Sequence, residues 1–319
     1  NDAPVWASSA SQSINEGTQN VVSLSATDED GDTLSYSIAT NDNSLFEIDS
    51  GTLRFVASGG ADFESPGCGS SSNSCTVSLL ANDGTTTTAL SMTITIVDLN
   101  DETPVWVTSA TQSINENIQN VVALSATDAD SGDSVSYTIT TNDNSLFEIS
   151  SGTLRLVASS GANYESPGCG SSSNTCTVTV LASDGASTAN TASRTFSITI
   201  GDTNDQAPTY TGGDITPSVT EGQTPVDSFT IVDTDTGDDN SCTLGGTDSA
   251  LFSCTLSGAT DDSVSIAFIT EPDYENPGSA AGTNVYDLTA TISDGVNTGG
   301  TLAYTVTVID GTGLVIPSG

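Results

Sequence analysis

Histidine and lysine are both absent from this 319-residue chain, and its basic side chains amount to three arginines against 41 acidic residues, a formal net charge of −38. With so little positive charge, nothing is available to displace counterions from a nucleic-acid backbone. The same imbalance argues against docking on an anionic membrane surface. Serine nucleophiles would lack their usual base. No apolar run approaches the ~20 residues that span a bilayer, so direct membrane insertion is not expected. No N-x-[ST] sequon occurs, so N-glycosylation is not expected either. No signal peptide is visible, and the expectation is a mature form or an excised segment. A helical period is missing throughout.

Hydrophobic residues make up 35% of the chain, little for one large core but adequate for thin two-sheet sandwiches. The cysteines fall into close pairs, Cys68 with Cys75, Cys169 with Cys176 and Cys242 with Cys254. One pair per hundred residues points to local disulfides formed in an oxidising, extracellular compartment. The competing zinc reading is poor: no pair has C-x₂₋₄-C spacing and no histidine can share ligation.

The stretch from Trp6 to Asp83 recurs from Trp106 to Asp184. Thr40-Asn-Asp-Asn-Ser-Leu-Phe-Glu-Ile48 returns as Thr141 to Ile149, and Ser65 to Asn73 returns as Ser166 to Asn174. A third, diverged copy runs from near Pro208 to near Asp310. Within each copy the period is two, as in Leu34-Ser-Tyr-Ser-Ile38 and Met92-Thr-Ile-Thr-Ile-Val97, which reads as half-buried strands. The expected architecture is all-β: three tandem Greek-key sandwiches, immunoglobulin-like, in an elongated rod. Boundaries are drawn at 1–99, 100–203 and 204–311, with 312–319 as a C-terminal tail.

The carboxylates gather where one copy hands over to the next. Asp98-Leu-Asn-Asp-Glu-Thr-Pro104 forms the first connection, with Glu16, Asp62 and Glu64 before it and Asp128, Asp130 and Asp184 after it. The second connection offers Asp202-Thr-Asn-Asp205, with Glu116, Asn163 and Glu165 before it and Asp233, Asp235 and Asp294 after it. Calcium accepts six to eight mixed carboxylate, amide and carbonyl oxygens, so such a set suits a hard divalent cation. Without one, carboxylates ~4 Å apart repel by on the order of 4 kcal/mol at an effective dielectric near 20. Turn formation and a solvating surface account for Asp42, Asp143, Asp261 and Asp262, but not for a full set recurring at each junction. An EF-hand reading of Asp28-Glu-Asp-Gly-Asp32 fails, because Thr33 and Ala39 stand where the loop needs Gly and Glu.

In order along the chain, Ser13-Ile-Asn-Glu16, Asp62-Phe-Glu64, Ala81-Asn-Asp83, Asp98-Leu-Asn-Asp101 and Thr127-Asp-Ala-Asp130 resemble the motif set of cadherin repeats. The resemblance covers nearly the whole chain and is strongest in the first two copies. It implies about three Ca²⁺ per complete linker. Glu16, Asp62, Glu64, Asp98 and Asp101 would hold two from one side. Asn100, Asp128, Asp130 and Asp184 would cap the third from the other. Leu99 and Glu102 would give backbone carbonyls, and in the second linker Thr203 takes the place of Leu99 and Asn204 that of Asn100. Asn163 departs from the pattern by replacing an acid, which should weaken one site there.

The family's role in cell adhesion implies a non-catalytic, calcium-rigidified, secreted or cell-surface protein, with partners among copies of itself or other cell-surface proteins. Glycoside cleavage by a carboxylate pair has no carboxylates left over for it. Exchange of a strand through Trp6 is disfavoured, since Trp106 and Tyr210 hold the same place in the other copies. Half a linker stands at each end: Asn1 and Asp2 with Asp28, Asp30 and Asp83, and Asp310 with Glu221, Asp273 and Glu275. Joined head to tail, these halves recreate a linker across a chain boundary, and a contact of that kind that does not close forms a filament. The apolar Leu314-Val-Ile-Pro317 is a candidate inter-subunit strand for that contact. The alternative is the stalk of a larger calcium-dependent adhesin.

Overall fold

The structure is a computed structural model; it describes residues 1–69, 72–132, 134–170, 173–185, 190–237 and 239–311. The expected tail strand Leu314 to Pro317 lies outside the described residues.

The alternation of the first copy becomes nine strands: β1 (Val5–Trp6), β2 (Ser11–Asn15), β3 (Asn20–Ser23), β4 (Ala26–Thr27), β5 (Ser35–Asn41), β6 (Phe46–Asp49), β7 (Thr52–Phe55), β8 (Ser74–Asn82) and β9 (Thr87–Val97). A four-stranded sheet in the order β2-β9-β8-β5 faces a three-stranded one in the order β3-β7-β6, and β1 pairs with β4. Period two decides which side chains go inward. On β8, Cys75, Val77, Leu79 and Ala81 are buried, while Thr76 is exposed and Ser78, Leu80 and Asn82 are only half-buried. On β9, Met92, Ile94 and Ile96 are buried. Cys75, Val77, Leu79, Met92, Ile94 and Ile96 form one core with Leu53, Phe55 and Phe46 from the other sheet. Burying a side chain of this kind stabilises by roughly 1.5–3 kcal/mol.

The second copy repeats the plan in β10 (Val105–Trp106), β11 (Thr111–Asn115), β12 (Asn120–Ala123), β13 (Ala126–Thr127), β14 (Ser136–Asn142), β15 (Phe147–Ser150), β16 (Thr153–Leu156), β17 (Thr175–Ser183) and β18 (Thr191–Gly201). Its sheets run β11-β18-β17-β14 and β12-β16-β15. The third has eight strands: β19 (Thr209–Gly212), β20 (Ser218–Thr220), β21 (Pro225–Val232), β22 (Ser241–Gly245), β23 (Phe252–Ser257), β24 (Ser263–Phe268), β25 (Val285–Ser293) and β26 (Thr298–Ile309). Here β19 joins β21-β24-β23 as a fourth strand, opposite β20-β26-β25-β22. Each copy closes its own apolar core.

Trp6 and Trp106 pack against the core of their own copy. Their indole N–H groups donate to the carbonyls of Thr88 at 3.1 Å and Ala192 at 3.0 Å. Tyr210 packs on the third core. The three cysteine pairs are disulfides. Asp42 and Asp143, expected only to form turns, do more. Asp42 accepts from Gly69 at 2.9 Å and Asp143 from Gly170 at 2.8 Å, which ties each short disulfide loop to the 3-10 turn that the aspartate begins.

One close approach prepares the junctions. A Cβ at Gly60 would lie 2.4 Å from the Thr18 carbonyl, and Gly161 meets the Asn117–Ile118 backbone in the same way. Both sit at positive φ, where glycine alone is unstrained. The loop carrying Asp62 and Glu64 is thereby laid against the turn that follows Glu16, and Gly17 donates its N–H to the Ala61 carbonyl at 2.8 Å.

Candidate metal centre

At the first junction the organising group is Glu16, which is only 4% exposed. Its Oε1 accepts the N–H of Leu99 at 2.6 Å and its Oε2 that of Phe63 at 2.7 Å. One carboxylate thus fixes the connection and the mid-copy loop to each other. Oxygen atoms of Glu16, Asp62 and Glu64 lie within 4.8 Å of one another, as do those of Glu64, Asp101 and Glu102. Asp62 turns its own loop by accepting from Ser65 at 2.8 Å.

The second copy closes on this group from the other side. Asp98 accepts the N–H of Ser131 at 2.7 Å, and Asp130 accepts that of Glu102 at 3.0 Å. Asp128 accepts from the Asp130 backbone at 3.1 Å. Asp184, 2% exposed, accepts from the Asn190 backbone at 2.9 Å, and the Asn190 amide donates to Asn100 Oδ1 at 2.9 Å. The structure therefore gathers Glu16, Asp62, Glu64, Asp98, Asp101, Asp128 and Asp130 at this junction, and Asp184 is linked to Asn100 through the Asn190 amide. Leu99 and Glu102 were expected to offer carbonyls; the Glu102 carboxylate also stands in the cluster.

Among the described residues no basic side chain forms an ion pair with this set. The described ion pairs of Arg54 and Arg155 go to Glu47, Asp49 and Glu148, away from the junctions. The cost is visible in the carboxyls themselves. Burial, reinforced by Glu16, Asp98 and Asp130, outweighs a backbone hydrogen bond and pushes Glu64 up to about 7. Burial, together with Glu16, Asp62 and Asp98, also raises Asp101. Asp130 is raised by burial and by Asp128, Asp98 and Asp101, against the Glu102 hydrogen bond. Among the described residues of this junction, four buried oxygens have no hydrogen-bond partner: Glu64 Oε1, Asp98 Oδ1, Asp128 Oδ2 and Asp130 Oδ1. Buried polar atoms are otherwise almost always satisfied. Oxygen-rich, anionic and partnerless donors of this kind fit a hard divalent cation such as calcium.

The second junction follows the same plan. Glu116, 2% exposed, accepts from Thr203 and Tyr164, both at 2.8 Å. Asn163 accepts from Ser166 at 2.6 Å. Asp202 accepts from Thr236 and Asp235 from Gln206, leaving Asp202 Oδ1 and Asp235 Oδ1 buried without a partner. Asp233 accepts from the Asp235 backbone at 3.1 Å. Burial, with Glu116 and Asp235, raises Glu165. Asp294 accepts from Val296 and Asn297, and the Asn297 amide reaches Asn204 Oδ1 at 2.6 Å.

Each outer half-site keeps its half of the pattern. Asn1 donates to Asp83 at 2.9 Å and Asp2 to Asp30 at 2.6 Å, while Asp28 Oδ2 is buried without a partner. Hydrogen bonds from Thr86 and Thr85 hold Asp83 below the usual carboxylate range. At the other end Glu221 accepts from Tyr274 at 3.0 Å and Gly311 at 2.9 Å, and Asp273 accepts from Asn276. Glu275, despite a backbone hydrogen bond, is raised by Glu221, by burial and by Asp310 and Asp273.

Sequence reading missed the bridging amides of Asn190 and Asn297. It also missed Asn117 and Gln206, whose amides both reach Asp205. The signal for Asn117 was present: it stands where the first copy has Gly17.

A sequence family described as a bacterial Ig domain matches residues 1–97. No curated protein sequence matches the chain. Among solved structures, mouse cadherin-23 repeats EC22-24 superpose with a TM-score of 0.64 at 20% identity, over 98% of this chain and 100% of that one. Protocadherin gamma B7 extracellular cadherin domains 1-4 give 0.67 at 20% identity, over 96% and 76%. The human desmocollin-1 ectodomain gives 0.64 at 17% identity, over 94% of this chain and 60% of that one. The chain has the fold of consecutive cadherin ectodomain repeats.

Proposed function

We propose that this chain is a non-catalytic, extracellular protein of adhesive or structural kind, stiffened by calcium at its junctions. The observation that carries the reading is the group of partnerless buried oxygens on Glu64, Asp98, Asp128 and Asp130, drawn from both sides of one connection. When bound there, calcium supplies the positive charge that the side chains lack. The chain's own groups do the positioning: Glu16 orients the linker and the mid-copy loop, and Asp98 and Asp130 tie the linker to the following copy. Extracellular modules bind calcium at about 10⁻⁴–10⁻³ M, and the disulfides suit the same compartment. Division at 1–99, 100–203 and 204–311 belongs to this reading, with about three ions per complete linker. Small-angle scattering with 2 mM calcium and with chelator tests it. The expected result is a longer, stiffer particle in calcium; identical profiles would sink the proposal.

The two outer half-sites complement each other as the halves of the first junction do. That favours head-to-tail addition of a further copy at either end, building a filament. Electron microscopy of the pure chain should show calcium-dependent fibres that vanish on Glu221→Gln. Particles that stay single at every calcium concentration would leave the array as the stalk of a longer adhesin.

A further inference from the structure

The two complete junctions share one plan but not one chemistry. After its organising glutamate the first has Gly17, without a side chain; at the matching position the second has Asn117, held at φ 61°, where a residue other than glycine is uncommon. The side chain of Asn117 is engaged: its amide donates to Asp205 Oδ2 at 2.5 Å. Gln206 replaces Glu102, and its amide donates to Asp205 Oδ1 at 2.8 Å. Asn163 replaces Asp62. Three matching positions therefore differ in one direction. Two carboxylates are gone, and both oxygens of a third are held by amide donors that a cation has to displace.

We infer that the second junction is an amide-clamped, low-affinity hinge that fills with calcium after the first and empties before it. The inference rests on the calcium reading above and adds an order to it. Over a window of calcium concentration the first and second copies are locked while the third still swings. Calcium affinity in oxygen sites is set by ligand charge and rigidity, and the lost charge alone is worth on the order of tenfold.

The test is calcium titration of the ¹⁵N-labelled full chain, following the Leu99 and Thr203 amides by NMR. Each donates to the organising glutamate of its junction, so one sample reports both midpoints. The Thr203 midpoint is expected at about tenfold higher free calcium than that of Leu99. The combined Asn117→Gly, Asn163→Asp and Gln206→Glu variant should bring the two together. The reciprocal Gly17→Asn, Asp62→Asn and Glu102→Gln variant should carry the Leu99 midpoint up to that of Thr203, which keeps the test decisive if one variant folds poorly. Coincident or reversed midpoints in the parent chain overturn the inference and leave the calcium reading intact. If neither amide responds to calcium, both fall.

Discussion

Glu64 shows what a single residue contributes to the junction and what it costs. Its carboxyl, at about 7 in the fold, lies above the ordinary value near 4.5. The fold therefore favours the protonated form. Without calcium that preference stabilises the chain fully below pH 4.5 and is lost as pH rises through 7. In chelator, Glu64→Gln should raise the melting temperature at pH 8 and leave it unchanged at pH 4. In calcium the same substitution should lower it at pH 8 under the proposed calcium reading, which needs the Glu64 charge. Thermal unfolding at the two pH values, with and without chelator, gives all four readings; an equal shift in every condition would show that Glu64 has no special environment. The carboxylate itself is legible in the Asp62-Phe-Glu64 motif. Its altered titration is not, because that depends on Asp98 and Asp130, which come from the far side of the connection.

At the scale of strands and loops, period-two alternation is a local property, and it places β8 and β9 with their buried residues directly. The cysteine pairs are likewise local, at sequence separations of 7, 7 and 12. What each pair joins is not. In the first two copies the disulfide closes a loop before β8 or β17, and Asp42 or Asp143 holds that loop from a distant turn. In the third copy Cys242 on β22 and Cys254 on β23 belong to the edge strands of opposite sheets, so the bond staples the two sheets together along one edge of the sandwich. Loop-closure entropy assigns each bond about 2–3 kcal/mol. Urea unfolding of the paired Cys68→Ser, Cys75→Ser variant and of the Cys242→Ser, Cys254→Ser variant should each show a loss of about that size. Losses in the third copy below about 0.5 kcal/mol would mean that its core closes without the staple.

Over the whole molecule the dominant quantity is the net charge of −38, concentrated where copies meet. Screening should partly substitute for a bound cation, since the Debye length falls from about 10 Å at 0.1 M salt to about 3 Å at 1 M. In chelator, raising NaCl from 0.05 to 1 M is expected to increase the melting temperature. In saturating calcium the same change should have little effect, because the junction charge is already balanced. A chelated protein indifferent to salt would contradict the view that repulsion at the junctions limits its stability.

Sequence alone determined the β class, the recurrence of the unit, the cysteine pairing and the positions of the carboxylates. All four are carried by local alternation, short spacing or repetition, which need no knowledge of neighbours in space. Tertiary structure alone decided how those carboxylates act together. Glu16 holds Leu99 across 83 positions and Asn117 holds Asp205 across 88, and no local pattern specifies such contacts. The same distance hid the inequality of the two junctions: a glycine exchanged for an asparagine means little until its amide is seen on the one carboxylate it reaches.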